Sequence, residues 1–559
     1  MDQLIDGFHN EIRIHSPESP LQLEGDDLKQ LQLLVEELLS SATSGRKELD
    51  ERVVQWRRYH NLDKRTKVPW EGAPNVTTPF VRQKTDGMEA HLIAAINLDP
   101  MFSAKPYSAE AEKVQIAFET AMERELDRTN SRPEIFSAIH DAVVTGTGHL
   151  KHVVLDDGQG GWVCPDRYVR FEDLYVWPTG THRRHQLSYF ERYYKSFWEI
   201  SEDAGLGVYD EEAIEKLRAE PGVESISNNQ DNTVHELWQC YIRFRADLWV
   251  IDYHRLSQTI LAAYPYPYSR FFNYAPYTPI YTKRDPGSYY GRSIPSVLES
   301  LQEVSDAAFN NELASAQFKM RPLGMVRRNS AIARKLKETG GVIPGGFYEV
   351  DGPLDEAIKV LDFNANPFNY QMLMLIGQMA EDATFSDMIV PGDPTGGKRV
   401  TATWARLSSS VASMKLRMHL ITLQECLAQH ADDKWRLIYH YVVKPKGIYE
   451  IVGPQSTIRL ASESVTLPDG TFIPGAMRDD IQWIVKGGDT VPDKDIRLSK
   501  LLELIQLMPM IQQAQVSRPV WFILRNILET MDIFNWKEII GPIPPPAMPM
   551  MPGMLPGGM

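Results

Sequence analysis

The loop VPGDPTGGKRV, residues 390–400, lies between two helical patterns and decides how the chain is organised. Before it, apolar spacing predicts a helix over Phe368–Thr384. After it, a long helix is predicted to start near Thr401, with apolar residues at alternating steps of three and four: Trp404, Leu407, Val411, Met414, Met418 and Ile421. Such a seam is typical of core packing against other helices. The loop itself is either a phosphate-binding loop or a loop held out from a helical assembly.

The composition is that of a globular protein. The 559 residues are 43% hydrophobic and 24% charged, which is enough for several domains with sizeable cores. The formal net charge of −15 argues against sequence-specific DNA binding, because groove recognition normally needs a basic surface. An acidic surface is compatible with DNA as a passing partner that must not adhere.

Cysteine usage and hydropathy indicate the cellular compartment in which the chain is made. Cys164, Cys240 and Cys426 are far apart and form no CxxC pair, so neither a disulfide framework nor a zinc ribbon is expected. This predicts a protein made in a reducing cytoplasm. No apolar run reaches about 18 residues, so no transmembrane helix and no membrane partner is expected. The N-terminus lacks a signal-peptide pattern.

Helical periodicity dominates the first 144 residues. After a loosely patterned stretch over 1–25, it predicts helices over 26–40, 46–59, 80–97, 109–129 and 133–144. From His149 the period changes to two, so the region 149–285 is interpreted as α+β. A hairpin is predicted over 153–163, with further strands over 167–177, 187–194, 235–245, 248–254 and 258–264, and short helices over 196–205 and 210–219.

A second helical region begins at Gly291. A helix over 294–317 is predicted from a single apolar stripe, made of Ile294, Val297, Leu298, Leu301, Val304, Ala308 and Leu313. Residues 318–365 then form an insertion of strands and turns. Its cations stand out in an acidic chain: Lys319, Arg321, Arg327, Arg328, Arg334, Lys335 and Lys337. Such a cluster binds nucleic acid or an acidic protein, or it is a solvated charged face.

The C-terminal part changes pattern twice. Residues 448–485 alternate like strands, and helices are predicted over 493–508 and 519–531. From 541 to 559 the chain is almost wholly Pro, Met, Gly, Leu and Ala, which predicts an extended tail without a core of its own.

A nucleotide-binding interpretation of the loop has a specific weakness. Residues 392–398, GDPTGGK, match the GxxxxGK pattern, but Arg399 stands where a Walker loop needs Ser or Thr to hold magnesium. The surroundings are predicted to be helical rather than a parallel βαβ unit. A Walker B strand can be drawn only at 248–252, upstream and within a meander. We therefore favour a cationic loop between two helices.

Two histidine pairs invite a metal interpretation. The segment HLKH at 149–152 has Cys164 and Asp166 nearby, and HRRH spans 182–185. Neither has a second pair at ligand spacing, and on a strand the rings of His149 and His152 point to opposite faces. No metal and no cofactor is predicted. The sequence contains no GxSxG elbow and no HExxH helix, and the chain is not expected to be an enzyme.

The order of these parts resembles the portal (head–tail connector) proteins of tailed bacteriophages, podovirus-like or related. Local stretches carry the resemblance. PWEGAPNVTTP at 69–79 and QKTDG at 83–87 are similar to the N-terminal wing, and YYGRSIPS at 289–296 is similar to the start of the first stem helix. TGGKRVTAT at 395–403 resembles the tunnel loop and the helix behind it. The resemblance covers roughly residues 30–540.

The resemblance implies an α+β portal fold and assigns a part to each segment. The parts are an N-terminal extension (1–25), an α/β wing (26–288), stem helix one (289–318), a small α/β clip (319–365), stem helix two (366–387), the tunnel loop (388–400), the long helix and wing return (401–492), a helical crown (493–540) and the Pro/Met-rich tail (541–559).

The same resemblance implies a function and partners. Portal subunits form a ring, usually a dodecamer, at one capsid vertex, and double-stranded DNA is packaged and ejected through its centre. The terminase large subunit docks on the clip, and head–tail adaptor or tail proteins replace it. Major capsid and scaffolding proteins are further partners, and the mature location is the virion. The ATPase belongs to the motor, which agrees with the incomplete Walker pattern.

The net charge of the chain is consistent with the expected passage of DNA through a channel. A dodecamer would carry a formal charge of about −180, from −15 for each chain, so an acidic wall would let a polyanion slide. Thr395, Lys398 and Arg399 are then the expected DNA-facing residues, and they would touch phosphates without reading bases. The seven clip cations would face the motor or adaptor. A P-loop nucleic-acid motor and a structural virion protein without a channel remain the alternatives.

Overall fold

The computed structural model of the chain describes residues 20–23, 25–65, 73–98, 100–107, 109–157, 161–218, 222, 224–225, 233–269, 271–320, 324–326, 358–360, 368–384, 402–443, 448–452, 457–461, 464–466, 472–474, 481–485 and 521. The chain divides into two units, Met1–Gly488 and Asp489–Met559. The second unit contributes one described residue, Trp521, which is helical and buried. The predicted helices at 493–508 and 519–531 otherwise lie outside the described residues, as does the tail at 541–559.

Helices supply the frame of the first unit. They are α1 (Asp26–Asn61), α2 (Phe80–Ile96), α3 (Ala109–Arg128), α4 (Ser131–Val144), α5 (Phe197–Gly205), α6 (Glu211–Arg218), α7 (Ile294–Met320), α8 (Phe368–Thr384) and α9 (Ala402–Leu437), which continues into a π-helical turn at Ile438–Val443. The observed bounds of α8 are those predicted from the sequence.

Antiparallel sheets complete the unit, and the predicted α+β class is confirmed. The strands are β1 (Phe102–Pro106), β2 (Gly148–His152), β3 (Leu155–Asp156), β4 (Trp162–Val163), β5 (Asp166–Val169), β6 (Leu174–Val176), β7 (Ser188–Ser196), β8 (Glu224–Ser225), β9 (Thr233–Phe244), β10 (Asp247–His254), β11 (Thr259–Pro265), β12 (Tyr277–Ile280), β13 (Gly324–Val326), β14 (Ile358–Val360), β15 (Ile448–Val452), β16 (Thr457–Ala461), β17 (Ser464–Thr466), β18 (Phe472–Pro474) and β19 (Ile481–Val485).

The first helix corrects one prediction. Two separate helices were predicted over 26–40 and 46–59, but α1 runs through the intervening residues without interruption. Within them, the Thr43 hydroxyl donates 2.9 Å to the Leu39 carbonyl, one turn earlier. Gly45 lies where the helix meets a loop, since a Cβ there would stand 2.8 Å from Pro178 Cβ. Tertiary contact therefore overrides local propensity.

Buried Arg46 holds the middle of α1 against the body. Its guanidinium donates 2.8 Å to the Phe171 carbonyl, pairs with Asp50 at 2.7 Å, and stacks 3.5 Å from the centroid of the Tyr175 ring. These contacts give a buried cation both hydrogen-bond acceptors and a counter-charge, which is the condition for burying one at acceptable cost.

The largest sheet has the order β11-β10-β9-β7-β6, with β8 paired to β9. Side chains on β9 alternate between its two faces, as the predicted period of two requires. Trp238, Cys240 and Ile242 belong to the cluster with Leu31, Val35 and Leu39 of α1, whereas Leu237 and Tyr241 belong to the main core. Both faces are covered, so the sheet lies inside the unit.

A smaller sheet of order β12-β2-β5 lies against α4 and α9. Lys151 on β2 is fully buried, and its ammonium donates to Glu191 at 3.0 Å and to Gln239 at 2.6 Å on the large sheet. The Tyr277 hydroxyl donates to Glu191 at 2.6 Å. Burial raises the pKa of Glu191, but Lys151 and then Arg167 outweigh burial and leave that pKa below its ordinary value. This ion pair therefore ties the two sheets together.

The C-terminal strands return to the body. β19 pairs antiparallel with β1, and Phe102 lies opposite Val485. β15 to β18 form a separate antiparallel meander, in agreement with the alternation predicted over 448–485.

Candidate functional site

Helices α7 and α8 pack against each other and flank the insertion. The insertion begins and ends in a two-stranded ribbon, because β13 pairs antiparallel with β14 and Gly324 lies opposite Val360. The chain therefore leaves α7 and returns to α8 through adjacent strands. This agrees with the sequence prediction of an insertion between two helices.

An extended segment docks on α7 through a polar ladder. Gln302, Asp306 and Asn310 follow one another at four-residue steps along one face of the helix. Asn310 bonds both backbone groups of Val76, at 2.9 and 2.8 Å, and Asp306 accepts from the Thr78 amide at 2.8 Å. Side chains thus satisfy the backbone of a proline-rich stretch that does not join a sheet. The sequence analysis missed this ladder, although its spacing is visible in the printed sequence.

The apolar residues of α7 form the predicted stripe, but the chain covers only part of it. Ile294, Leu298 and Ala308 are buried in the chain's own core. Val297 and Val304 are exposed at one edge of the stripe. Seven residues separate these two valines, so they lie nearly in line along the helix axis. Helix α7 therefore presents an apolar edge that its own chain leaves uncovered.

Helix α8 shows the same division more strongly. Ile376 and Ala380 are buried. Met374, Leu375 and Met379 are exposed, Leu375 by 55%, and their spacing places them on one continuous face. A cluster of large apolar side chains on a surface is characteristic of an interaction site.

The long helix α9 corrects a prediction. Met418 and Ile421 were expected to be core residues of the seam, but they are exposed, Met418 by 70%. The buried face consists of Leu416, Leu420, Leu423, Leu427 and Ala431. Leu416 and Leu420 each lie two positions from Met418, about 200° around the helix. Met418 and Ile421 are thus exposed on the side of α9 away from its buried face, and the side chains of the other seam residues, Trp404, Leu407, Val411 and Met414, lie outside the described residues.

The residues predicted to contact DNA, the motor or the adaptor lie almost entirely outside the described residues. This applies to Thr395, Lys398 and Arg399 of the glycine loop, which falls between the end of α8 and the start of α9. It also applies to the insertion cations Arg321, Arg327, Arg328, Arg334, Lys335 and Lys337. Lys319 belongs to the last turn of α7. Their assigned roles stay predictions.

The potential Walker B strand lies in the wrong environment. Asp252, at the end of the predicted 248–252 segment, is on β10 between β9 and β11, and both neighbours run antiparallel to it. Its carboxylate is buried and accepts a hydrogen bond of 3.1 Å from the Tyr193 hydroxyl. A P-loop site needs a parallel sheet and an acidic group that reaches magnesium, so this segment does not provide one.

The strand β2 separates the two histidines of HLKH as expected. His149 lies in an aromatic pocket, with its ring 6.0 Å from and nearly parallel to the Tyr289 ring. Both its ring nitrogens are buried without a hydrogen-bond partner. Burial, with a smaller contribution from Arg46, lowers the pKa of His149 to about 3. This side chain is therefore a neutral, packed histidine.

His152, on the other face, joins a buried cluster that sequence reasoning missed. Register places His152 directly opposite Asp166 of β5, and His430 of α9 completes the group. The two imidazole rings are stacked, with centroids 4.4 Å apart and planes inclined by 17°. His430 Nε2 lies 3.0 Å from Asp166 Oδ1. In the sequence, the visible signal is that His430 and Lys434 lie four residues apart and therefore on one side of α9; the structure shows that both are buried.

Charged groups on α9 and a neighbouring loop surround this cluster. Lys434 donates to Asp166 Oδ2 at 2.6 Å and to Ser131 at 3.1 Å. Asp433 accepts from Arg183 and, at 2.8 Å, from the Tyr274 hydroxyl. Burial raises the pKa of Asp166, but Lys434 and then His430 outweigh burial and hold it well below its usual range.

His152 is neutral in this setting. Burial is the main cause that lowers the pKa of His152 well below its ordinary value, and His430 adds to the effect. With Asp166 ionised and His152 uncharged, both side chains are in the protonation state that coordinates cations.

Comparison with known proteins identifies no relative. No protein-family model matches the chain, and the search of curated proteins also found no match. Among the described helices, none combines the length and the apolar character needed to cross a membrane.

Proposed function

We propose that the chain is a portal-type subunit, which forms a ring-shaped channel for double-stranded DNA at one vertex of a phage capsid. One observation carries the proposal: α7, α8 and α9 each bury apolar side chains in their own chain and leave other large apolar side chains exposed. These are the helices that the resemblance assigns to the stem and to the long helix behind the tunnel loop. A second copy of this chain is the occupant that fits all three exposed faces.

The chemistry of the exposed residues supports self-association. Val304, Leu375 and Met418 are uncharged and lie on long helices, which is the composition expected at the core of an interface between subunits. When different patches of identical subunits meet head to tail, the contact generates a closed ring if the rotation closes. Exposed apolar faces on successive helices of one chain are consistent with such a contact.

The loop and the overall charge supply the DNA part of the proposal. The acidic chain would repel a polyanion on average, and Lys398 and Arg399 would hold phosphates weakly at one level of the channel. Thr395 would add a hydroxyl donor to the same loop. Contacts of this kind are independent of base sequence, as packaging requires.

The insertion supplies the proposed docking surface. The β13–β14 ribbon brings the two ends of the insertion together, and the seven cations of this segment contrast with the acidic chain. A packaging motor, and afterwards a head–tail adaptor, would bind there through complementary acidic surfaces. Capsid and scaffolding proteins would contact other parts of the ring in the virion.

Assembly is tested by a matched pair of charge substitutions. Leu375→Glu lies on the exposed face of α8, whereas Leu256→Glu lies in the β10–β11 turn and has a similar exposure of 58%. We expect wild type and Leu256→Glu to form rings with a central hole about as wide as duplex DNA in negative-stain images. Leu375→Glu should give folded monomers, because it places a charge in the interface.

The outcomes separate the proposal from a structural protein without a channel. Wild-type particles that are monomers or fibres at every concentration contradict a ring. Rings that persist in Leu375→Glu contradict the assignment of α8 to the interface and leave the ring itself standing.

The loop is tested by Lys398→Ala combined with Arg399→Ala. We expect normal rings and reduced DNA packaging or retention in an in vitro packaging reaction. Normal packaging by the double variant would show that these cations do not hold DNA. ATP turnover by the purified chain that disappears in Lys398→Ala would instead establish a P-loop motor.

A further inference from the structure

We propose that His152, Asp166 and His430 bind a divalent transition-metal ion of the type that prefers imidazole ligands, such as Zn²⁺. The three residues come from β2, β5 and α9, and all are buried. One donor atom from each lies within 4.8 Å of the other two. Two imidazoles with one carboxylate form a ligand set found in many protein metal sites.

Unused hydrogen-bonding capacity is the first argument. His152 Nδ1 and His430 Nδ1 are buried without a hydrogen-bond partner. Buried polar atoms almost always find partners, so two unpartnered imidazole nitrogens beside one carboxylate need an explanation. A bound cation would satisfy one atom on each of the three residues.

The contact between His430 and Asp166 is the second argument. His430 Nε2 and Asp166 Oδ1 are 3.0 Å apart, the distance of an ion pair when the imidazole is protonated. Two ligands that hold one zinc ion tetrahedrally at about 2.0–2.1 Å are about 3.4 Å from each other. The two atoms are therefore already about as close as two ligands of one ion, and a cation would take the place of the proton between them.

The neighbouring groups orient the three ligands. Thr278 Oγ1 lies 3.1 Å from His152 Nε2, which leaves Nδ1 as the coordinating atom. Lys434 holds Asp166 Oδ2, which leaves Oδ1. Such outer contacts fix the ligands of known metal sites. The two rings are stacked, so coordination of one ion would require rotation about χ2, which is a soft torsion in histidine.

The charges around the cluster determine which ions fit. Lys434 and Arg183 already neutralise Asp166 and Asp433, so the cluster offers no surplus negative charge. Mg²⁺ and Ca²⁺ depend on several oxygen ligands and would gain little here. Zn²⁺, Co²⁺ and Ni²⁺ bind neutral imidazole well. Binding would fasten α9 to the sheet formed by β2 and β5.

The experiment is a titration of chelator-treated, full-length protein with Co²⁺ and Zn²⁺, followed by visible absorption and calorimetry. We expect one ion per chain, with Co²⁺ bands typical of mixed nitrogen and oxygen ligands, and no comparable binding of Mg²⁺. His430→Ala should weaken binding at least about tenfold. His254→Ala is the control, because His254 and His235 form another buried histidine pair, and the described part of the chain places no carboxylate with them at ligand distance.

Two results would overturn the proposal. One is the absence of binding by wild type; the other is equal binding by wild type and His430→Ala, which would indicate other sites. X-ray absorption of the Co²⁺-loaded wild type provides a test that does not depend on how a variant folds. It should show two imidazole ligands and one carboxylate, and any other ligand set excludes this site.

Discussion

The body of the first unit, meaning its two larger sheets, and the helices α7 and α8 differ in how their side chains are covered. In the body, the large sheet is covered on both faces, and even the buried ammonium of Lys151 has acceptors within the chain. On α7 and α8, Val304, Leu375 and Met379 are exposed although these residues are as apolar as the core. The chain therefore covers the apolar side chains of its sheets more completely than those of these two helices.

This difference teaches how to interpret helical seams. Long helix α9 belongs to both regions, because Leu420 packs into the body while Met418 faces outward. Spacing of three and four predicts that some surface covers a helix, without telling whether that surface belongs to the same chain. A helix with two apolar faces is therefore a reason to look for a partner.

The largest expected effect comes from breaking the buried pair in the body. Lys151→Ala leaves Glu191 buried with weaker compensation and should lower the free energy of unfolding by about 3–5 kcal/mol. Urea denaturation monitored by tryptophan fluorescence provides the measurement. A double variant with Lys151→Met and Glu191→Leu removes both charges and should recover most of the loss. A single variant as stable as wild type would show that the pair does not hold the two sheets.

The second prediction compares the two faces of one helix. Leu420→Ala removes a buried side chain and should cost about 2–5 kcal/mol of unfolding free energy. Met418→Ala, two residues away, should change it by less than about 0.5 kcal/mol and should weaken assembly instead. Denaturation reports the first quantity, and sedimentation reports the second. Equal stability losses at both positions would remove the distinction between the two faces.

The third prediction concerns pH. The pKa of His149 is about 3 in the folded chain and about 6.5 when unfolded, so the unfolded chain binds more protons between these values. Stability should therefore fall by about 1.4 kcal/mol for each pH unit below about 6.5 because of this residue. His149→Phe keeps an aromatic ring and should flatten the decline. Parallel melting curves between pH 7 and 5 test it, and identical slopes for both proteins contradict it.

The smallest expected effect concerns a local motif of the body. Ser196 and Glu199 form a capping box at the start of α5, with the Ser196 amide donating 2.6 Å to the Glu199 carboxylate. Ser196→Ala should cost about 1 kcal/mol and leave assembly unchanged. Ser201→Ala serves as a milder comparison, because the Ser201 hydroxyl donates to the Phe197 carbonyl within α5 and takes no part in the cap. A change in assembly caused by Ser196→Ala would show that α5 also affects assembly.

Much of the fold follows from sequence patterns because local signals and tertiary contacts agree. Helix α8 was placed to the residue, and strands β7, β9, β10 and β11 were found by their period of two. The break assigned within α1 was wrong because Arg46 and Gly45 are fixed by contacts with residues more than a hundred positions away.

The site was harder to predict for a related reason. His430 and Asp166 are far apart in sequence, and no spacing rule links a residue of α9 to one of β5. Likewise, the seam at Met418 and Ile421 was recognised, but its outward direction depends on which face the body covers. A sequence pattern predicts that one face of an element is covered. Which neighbour covers that face is known only from the assembled fold.

The paired strands at the base of the insertion have an evolutionary consequence. Because β13 and β14 bring the two ends of the insertion side by side, the segment between them can be exchanged for another of different length without moving α7 or α8. The closure entropy changes only slowly with length. Related chains can therefore differ in this segment while they keep the same α7 and α8, and an engineer can exchange it in the same way.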